Sequence, residues 1–220
     1  MIRNGFAVGA CVLMLAGCSH VASRQAFPRH YTLSAPTAPL AQPPASGPER
    51  NATLQVARMA VAPWLQGTDL YYRLDYLHDN RIAAYAQSDW VAPPARLLES
   101  IMQNAIAGES AWRVVTGPGG PARTDFSLNV RLDDFSQSFA SPQQSDGALD
   151  ATATLVDNRD GSAVAQRHFH IRTPAPTADA EGGVKALSQA TLQFIAEVER
   201  WLRTAAPHQR SSSSDSSGGD

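Results

Sequence analysis

Phe126, Leu128, Val130 and Leu132 alternate strictly with Ser127, Asn129, Arg131 and Asp133, and Leu149, Ala151, Ala153 and Leu155 repeat the pattern. A period of two puts successive side chains on opposite faces of a pleated strand, so each run has one face to bury and one to leave in water. Between the second run and Phe169 and Ile171 stands Asp157-Asn158-Arg159-Asp160-Gly161, a cluster that turns the chain back on itself. Three antiparallel strands follow, and their apolar face demands a cover.

Two segments supply it. Asp179 to Ala205 sets Val184, Leu187, Thr191, Phe194, Ile195, Val198 and Leu202 at helical spacing, with Glu197, Glu199 and Arg200 off that face. Pro93 and Pro94 stand where a first helical turn tolerates proline, and Leu97, Leu98, Ile101, Met102, Ala105 and Ile106 mark a second helical face that stops at Gly108. Further strands are expected over Thr53 to Ala62, with a slip at Ala57-Arg58 and an end at Pro63, and over Trp112 to Val115. Leu70 to Tyr76 and Arg81 to Tyr85 flank His78-Asp79-Asn80 as a hairpin, and His30 to Ser34 can add an edge strand. The fold expected is α+β in two layers, a mainly antiparallel sheet with two helices packed on one face.

Several function classes drop out. Of the 220 residues only Cys11 and Cys18 are cysteines, so the chain after Cys18 holds no disulfide, thiolate nucleophile or sulfur-ligated metal. With 18 basic against 20 acidic residues the net charge is -2, and the footprint of a protein that grips nucleic acid is missing. Gly117-Pro118-Gly119-Gly120-Pro121 lacks the Lys-Ser/Thr ending of a phosphate-cradling loop and no helix follows it, so it reads as a plain loop. His168 and His170 share the strand face opposite Phe169 and Ile171, but no third ligand is in sight, and Arg172 beside them marks a solvated face. Asp133 and Asp134 alternate faces and cannot act as acid and base on one bond. No catalytic residue, metal or cofactor is expected.

The N-terminus reads as an address. Arg3 precedes the uncharged run Phe6 to Ala16, which is short of the roughly 20 residues a membrane span needs and has the layout of a secretory signal. Its end, Leu15-Ala16-Gly17-Cys18, resembles the lipobox of bacterial lipoproteins. That resemblance implies cleavage between Gly17 and Cys18, a diacylglyceryl group on the Cys18 sulfur and a further fatty acyl chain such as palmitate, enough for stable membrane attachment. Ser19, where lipoproteins kept in the inner membrane tend to have Asp, points by analogy to the outer membrane, with the protein facing the periplasm. The expected organisation is a signal peptide over 1–17, the lipidated cysteine and a tether over 18–28, a folded domain over 29–205 with a Pro-rich loop at 35–50, and a tail over 206–220. From Gln209 onward that tail has nothing apolar to bury.

Aromatic residues concentrate in and beside the expected hairpin: Tyr71, Tyr72, Tyr76 and Tyr85, with Trp64 and Trp90. Cross-strand packing is the commoner role for such residues. Tyr71 and Tyr72, being adjacent, point to opposite faces and are the candidates for a partner contact.

Taken together, the lipobox at Cys18, Tyr31-Thr32-Leu33, Leu54-Gln55-Val56 through Val61-Ala62-Pro63-Trp64, Tyr72-Arg73, Ile82 to Tyr85 and Trp90 with Pro93-Pro94 resemble the ABC-type transport auxiliary lipoprotein family (PqiC-like). Such lipoproteins accompany MCE-type (mammalian-cell-entry-domain) transport systems of Gram-negative envelopes. Gln66-Gly67-Thr68-Asp69 departs from the family, which tends to carry a basic residue there. The resemblance implies a non-enzymatic, membrane-anchored subunit that docks on a periplasmic MCE-domain protein and supports envelope integrity. The permease and ATPase would be separate chains, and self-association into a homo-oligomer is compatible with it. A stand-alone outer-membrane lipoprotein with hydrolase or carbohydrate-binding activity is the competing reading.

Overall fold

The computed structural model describes residues 27–34, 50–78, 81–108, 111–120 and 123–206. Gly17, Cys18 and Ser19, the first part of the tether, the Pro36 to Pro48 stretch, Asp79-Asn80 and the tail from Pro207 lie outside the described residues.

The strands are β1 (Arg29–Tyr31), β2 (Arg50–Val56), β3 (Ala60–Val61), β4 (Asp69–Leu74), β5 (Ile82–Trp90), β6 (Trp112–Thr116), β7 (Phe126–Ser141), β8 (Gln144–Asp157) and β9 (Ala163–Pro174). Helix α1 (Pro94–Gly108) falls between β5 and β6, and α2 (Ala180–Ala205) closes the described chain. The fold is α+β, with α2 lying over β8, β9 and β7, α1 against β6, and the two helices touching each other.

The sheet is mixed: its long ladders are antiparallel as expected, and shorter parallel ones join them. One edge of β7 pairs antiparallel with β8, and β8 with β9, as the alternating runs require. The other edge of β7 is shared by three strands in succession, all parallel to it: β2 (Leu54 opposite Phe126), β3 (Ala60 opposite Arg131) and β4 (Tyr72 opposite Gln137). Beyond them β6 lies parallel to β2 and β1 parallel to β5, while β4 and β5 form the antiparallel hairpin. Alternation marks a strand and its buried face but carries no direction. Parallel pairing needs a long crossover, and between β2 and β6 the connecting chain includes α1.

The expected single strand from Thr53 to Ala62 is divided into β2 and β3 at the slip. Ala57 N–H donates to Leu128 O and Ala62 N–H to Leu132 O, each at 3.0 Å, so the chain leaves and rejoins β7. In the gap, Met59 N–H donates to Glu99 Oε1 of α1 at 2.6 Å, and Arg96 pairs with Glu99 Oε2 at 2.9 Å. A backbone donor that no strand can satisfy is thus met by a buried carboxylate.

Along β7 the buried face changes parity. Leu132 lies opposite Ala151 and Asp134 opposite Asp150, so Asp133 is an extra residue, a β-bulge. Before it Phe126, Leu128, Val130 and Leu132 are buried; after it Phe135 and Phe139 take over that face. On β8 the face is continuous: Leu149, Ala151, Ala153 and Leu155 are fully buried. Helix α2 meets them with Val184, Leu187, Thr191, Phe194, Ile195, Val198 and Leu202, all buried as their spacing predicts. Phe169 of β9 packs edge-on to Phe194 at 5.3 Å and to Trp201 at 6.2 Å between centroids. Deleting a ring such as Phe194 would cost about 3–5 kcal/mol.

Candidate partner-binding surface

The β4–β5 hairpin carries the residues singled out for a partner contact. Tyr71 packs edge-on against Trp64, with 5.1 Å between centroids, and its hydroxyl donates to Asp69 Oδ2 at 3.0 Å. Partial burial, with Asp69 adding to it, pushes the Tyr71 phenol up. Tyr72 faces a different set: Tyr85 at 4.8 Å and Phe139 at 6.1 Å. Strand alternation therefore separates the two rings as expected, and both are half-buried. What the hairpin leaves open is aliphatic: Leu77 is 46% and Ile82 40% exposed, and a hollow of about 230 Å³ is bordered by Tyr72, Leu74, Arg81, Ile82 and Ala83. Periodicity gave no notice of Leu77 and Ile82, because Ile82 begins a strand and Leu77 sits in a 3-10 turn (Asp75–Leu77).

Behind the hairpin, on the face away from the helices, charged side chains run across β4, β7, β8 and β9. The Arg73 guanidinium donates to Asp134, which also accepts from Ser136 Oγ at 2.8 Å. Asp150 lies opposite Asp134 in register and is held by Arg172 Nη2 at 3.1 Å and by His170 Nδ1 at 2.5 Å. Two carboxylates directly opposite one another repel, and two arginines offset that repulsion. Burial pushes the Asp134 carboxyl up, against the opposing pull of Arg73 and Ser136. His168 lies 3.3 Å from Thr152 Oγ1, and Asp133 pairs with Arg131 at 2.8 Å. The network ties strands together, with each acid turned to a cation or a hydroxyl. No group of three or more His, Cys, Asp or Glu side chains able to hold a metal occurs among the described residues.

A family model described as ABC-type transport auxiliary lipoprotein component matches residues 31–199, from the end of β1 to within the last turns of α2. The chain belongs to this family. Among solved structures, a Xanthomonas campestris protein of the DUF330 family is similar at 20% identity and a TM-score of 0.68, over 80% of this chain and 94% of that one. A second, an uncharacterized protein, is similar at 19% identity and a TM-score of 0.62, over 80% of this chain and 99% of that one. At such identities the likeness speaks for the fold. No curated protein matches the chain.

In this auxiliary lipoprotein no helix among the described residues is long and apolar enough to cross a membrane. The matched span takes in the hairpin, α1, most of α2 and the whole sheet from β2 to β9.

Proposed function

We propose that this auxiliary lipoprotein is a non-enzymatic subunit of an MCE/ABC-type transporter of lipids or other hydrophobic solutes in a Gram-negative envelope. The family model's coverage of residues 31–199 carries the reading. Cys18, at the end of Leu15-Ala16-Gly17-Cys18, is the acylated anchor, and Ser19 favours the outer membrane, periplasm-facing. Residues 18–28 tether the domain, 29–205 are its working part, and 206–220 trail from it.

The domain docks on the periplasmic MCE-domain protein through the β4–β5 hairpin, Tyr71 and Tyr72 stiffening the surface that Leu77 and Ile82 present. Aromatic and aliphatic anchors seated in a partner's pocket dominate such contacts, a hot-spot truncation costing at least about 2 kcal/mol. The test is a pull-down with the lipidated full-length protein from its own membranes. Capture of an MCE-domain protein, weakened by Tyr71→Ala or by Ile82→Ser without loss of thermal stability, supports the proposal. Capture that survives these changes and disappears only when residues 19–50 are removed would move the contact to the tether. Absence of any MCE-domain partner would overturn the reading.

A further inference from the structure

Three arginines from separate segments of the chain line one hollow. Arg113 of β6, Arg123 of the β6–β7 connection and Arg159 of the β8–β9 turn line an open cleft of about 760 Å³, with Thr53 and Gln55 of β2, Ser127 of β7 and Asn158 completing its walls. Thr53 and Gln55 alternate with the buried Leu54 and Val56, which places the cleft on the sheet face turned away from both helices. The Gly117 to Gly120 stretch does not line it; the arginines at either end of that connection do.

The floor is preorganised by its own hydrogen bonds. Asp125 Oδ2 accepts from Thr53 N–H at 2.7 Å and from Thr53 Oγ1 at 2.8 Å. Asn158 Nδ2 donates to Thr124 O at 3.0 Å, and Ser127 Oγ donates to Asn158 Oδ1 at 3.0 Å. The Thr53 backbone bond, more than any other influence, holds the Asp125 carboxyl below the ordinary carboxylate range, with Arg113 and Arg159 helping.

The cations are incompletely answered. Arg159 spends Nε and Nη2 on Asp157, at 3.0 and 2.5 Å, and among the described residues Nη1 makes no hydrogen bond. Among the described residues neither the Arg123 nor the Arg113 side chain makes a hydrogen bond or ion pair, and Arg113 lies in the field of Asp125. Three positive charges against Asp125 leave the lining at two positive, while Asp157 and Asp160, which act on Arg159 from outside the lining, bring the wider neighbourhood to neutral. The whole chain has a net charge of -2, so the lining itself is opposite in sign to the chain. Like charges gathered around a concave wall focus their field into the hollow, and an anion there relieves their repulsion.

We infer that this cleft binds a phosphate ester. Guanidinium groups pair with phosphate oxygens in forked geometry, and convergence from three sides suits a tetrahedral oxyanion better than a flat carboxylate. Gln55 adds an amide donor to the lining. A net charge of -2 argues against a long nucleic-acid track but not against one phosphate. The inference stands independently of the transport partner proposed above.

The test is calorimetric titration of the full-length protein in non-ionic detergent with inorganic phosphate, with glycerol 3-phosphate, and with detergent micelles carrying phosphatidylglycerol. Binding of a phosphate probe that falls at least about tenfold in Arg113→Gln/Arg123→Gln, and is unchanged in Arg131→Gln, supports the site. Arg131 is an exposed arginine of the same sheet face that lines a different hollow, so it reports diffuse charge. Equal affinity for glycerol 3-phosphate and for the lipid micelles assigns a free phosphate ester; tighter binding to the micelles assigns a lipid headgroup. Unchanged melting curves show that the variants fold. No heat with any phosphate probe, binding retained in the double variant, an equal loss in Arg131→Gln, or equal binding of succinate would each overturn the inference.

Discussion

The Tyr85 hydroxyl donates to Gln137 Oε1 at 2.8 Å, joining the hairpin to the middle of β7. Gln137 in turn donates from Nε2 to Ser145 Oγ at 2.8 Å, and Gly183 stands so close that a Cβ there would lie 2.2 Å from Gln137 Oε1. One fully buried amide therefore fixes the hairpin, β7, the start of β8 and the first turn of α2.

Tyr85→Phe removes the donor from a buried oxygen and should cost about 1–3 kcal/mol, read as a lower urea midpoint. Burial first, then Tyr72 and Asp179, push the Tyr85 phenol up to about 12. A raised folded-state value means that the contribution is complete below the unfolded value of 10.0 and is lost as pH rises from there to about 12. The wild type should thus lose more stability between pH 9 and pH 11 than Tyr85→Phe does, and equal losses would contradict this.

Gly147→Ala should destabilise by about 1–3 kcal/mol through overpacking. A Cβ at Gly147 would lie 2.6 Å from the Ala186 carbonyl carbon and 2.7 Å from Leu187 N, both backbone atoms of α2 that no rotamer change can move aside. Denaturant unfolding measures it; an unchanged midpoint would mean that α2 can slide on β8.

Asp179 caps α2, accepting from Gly182 N–H at 2.8 Å. Asp179→Ala should cost about 1 kcal/mol. That backbone bond, followed by the Thr177 hydroxyl, holds the Asp179 carboxyl below its usual value. A lowered folded-state value gives stability that is present above the unfolded value and lost as pH falls, so the gap between wild type and variant should narrow from pH 7 to pH 3 in thermal melts.

Arg73→Ala leaves Asp134, 4% exposed, without its cation. The loss should be about 3 kcal/mol at neutral pH. It should shrink on acidification, because a protonated Asp134 needs no cation, and adding Asp134→Asn should recover part of it. A loss independent of pH would indicate missing packing by the arginine stem instead.

Cys18→Ala should abolish incorporation of a fatty-acid probe and release the protein from the outer-membrane fraction. Equal labelling of the two proteins would remove the anchor from the proposal.

Much of the architecture was legible in linear order. Strict alternation over Phe126 to Leu132 and Leu149 to Leu155 identified the long hairpin and its buried face, and the seven apolar or small α2 positions named from spacing are all buried. Local periodicity suffices there because each pattern belongs to one element and one solvent boundary. The slip at Ala57-Arg58 was also visible, but its keeper, Glu99, was not, since a buried carboxylate on a helix has no sequence signature until the helix meets an orphan amide.

The sequence by itself determined which segments are strands, which two helices cover them and where the aromatic residues cluster. Only the tertiary structure decided that β2, β3 and β4 lie parallel along a single edge of β7, that the bulge at Asp133 turns Asp134 to the far face, and that Arg113, Arg123 and Arg159 share one cleft. Neighbours within a strand are set by backbone geometry, whereas neighbours across strands depend on which long loops close and which faces are covered, a balance of chain entropy and burial summed over the whole domain.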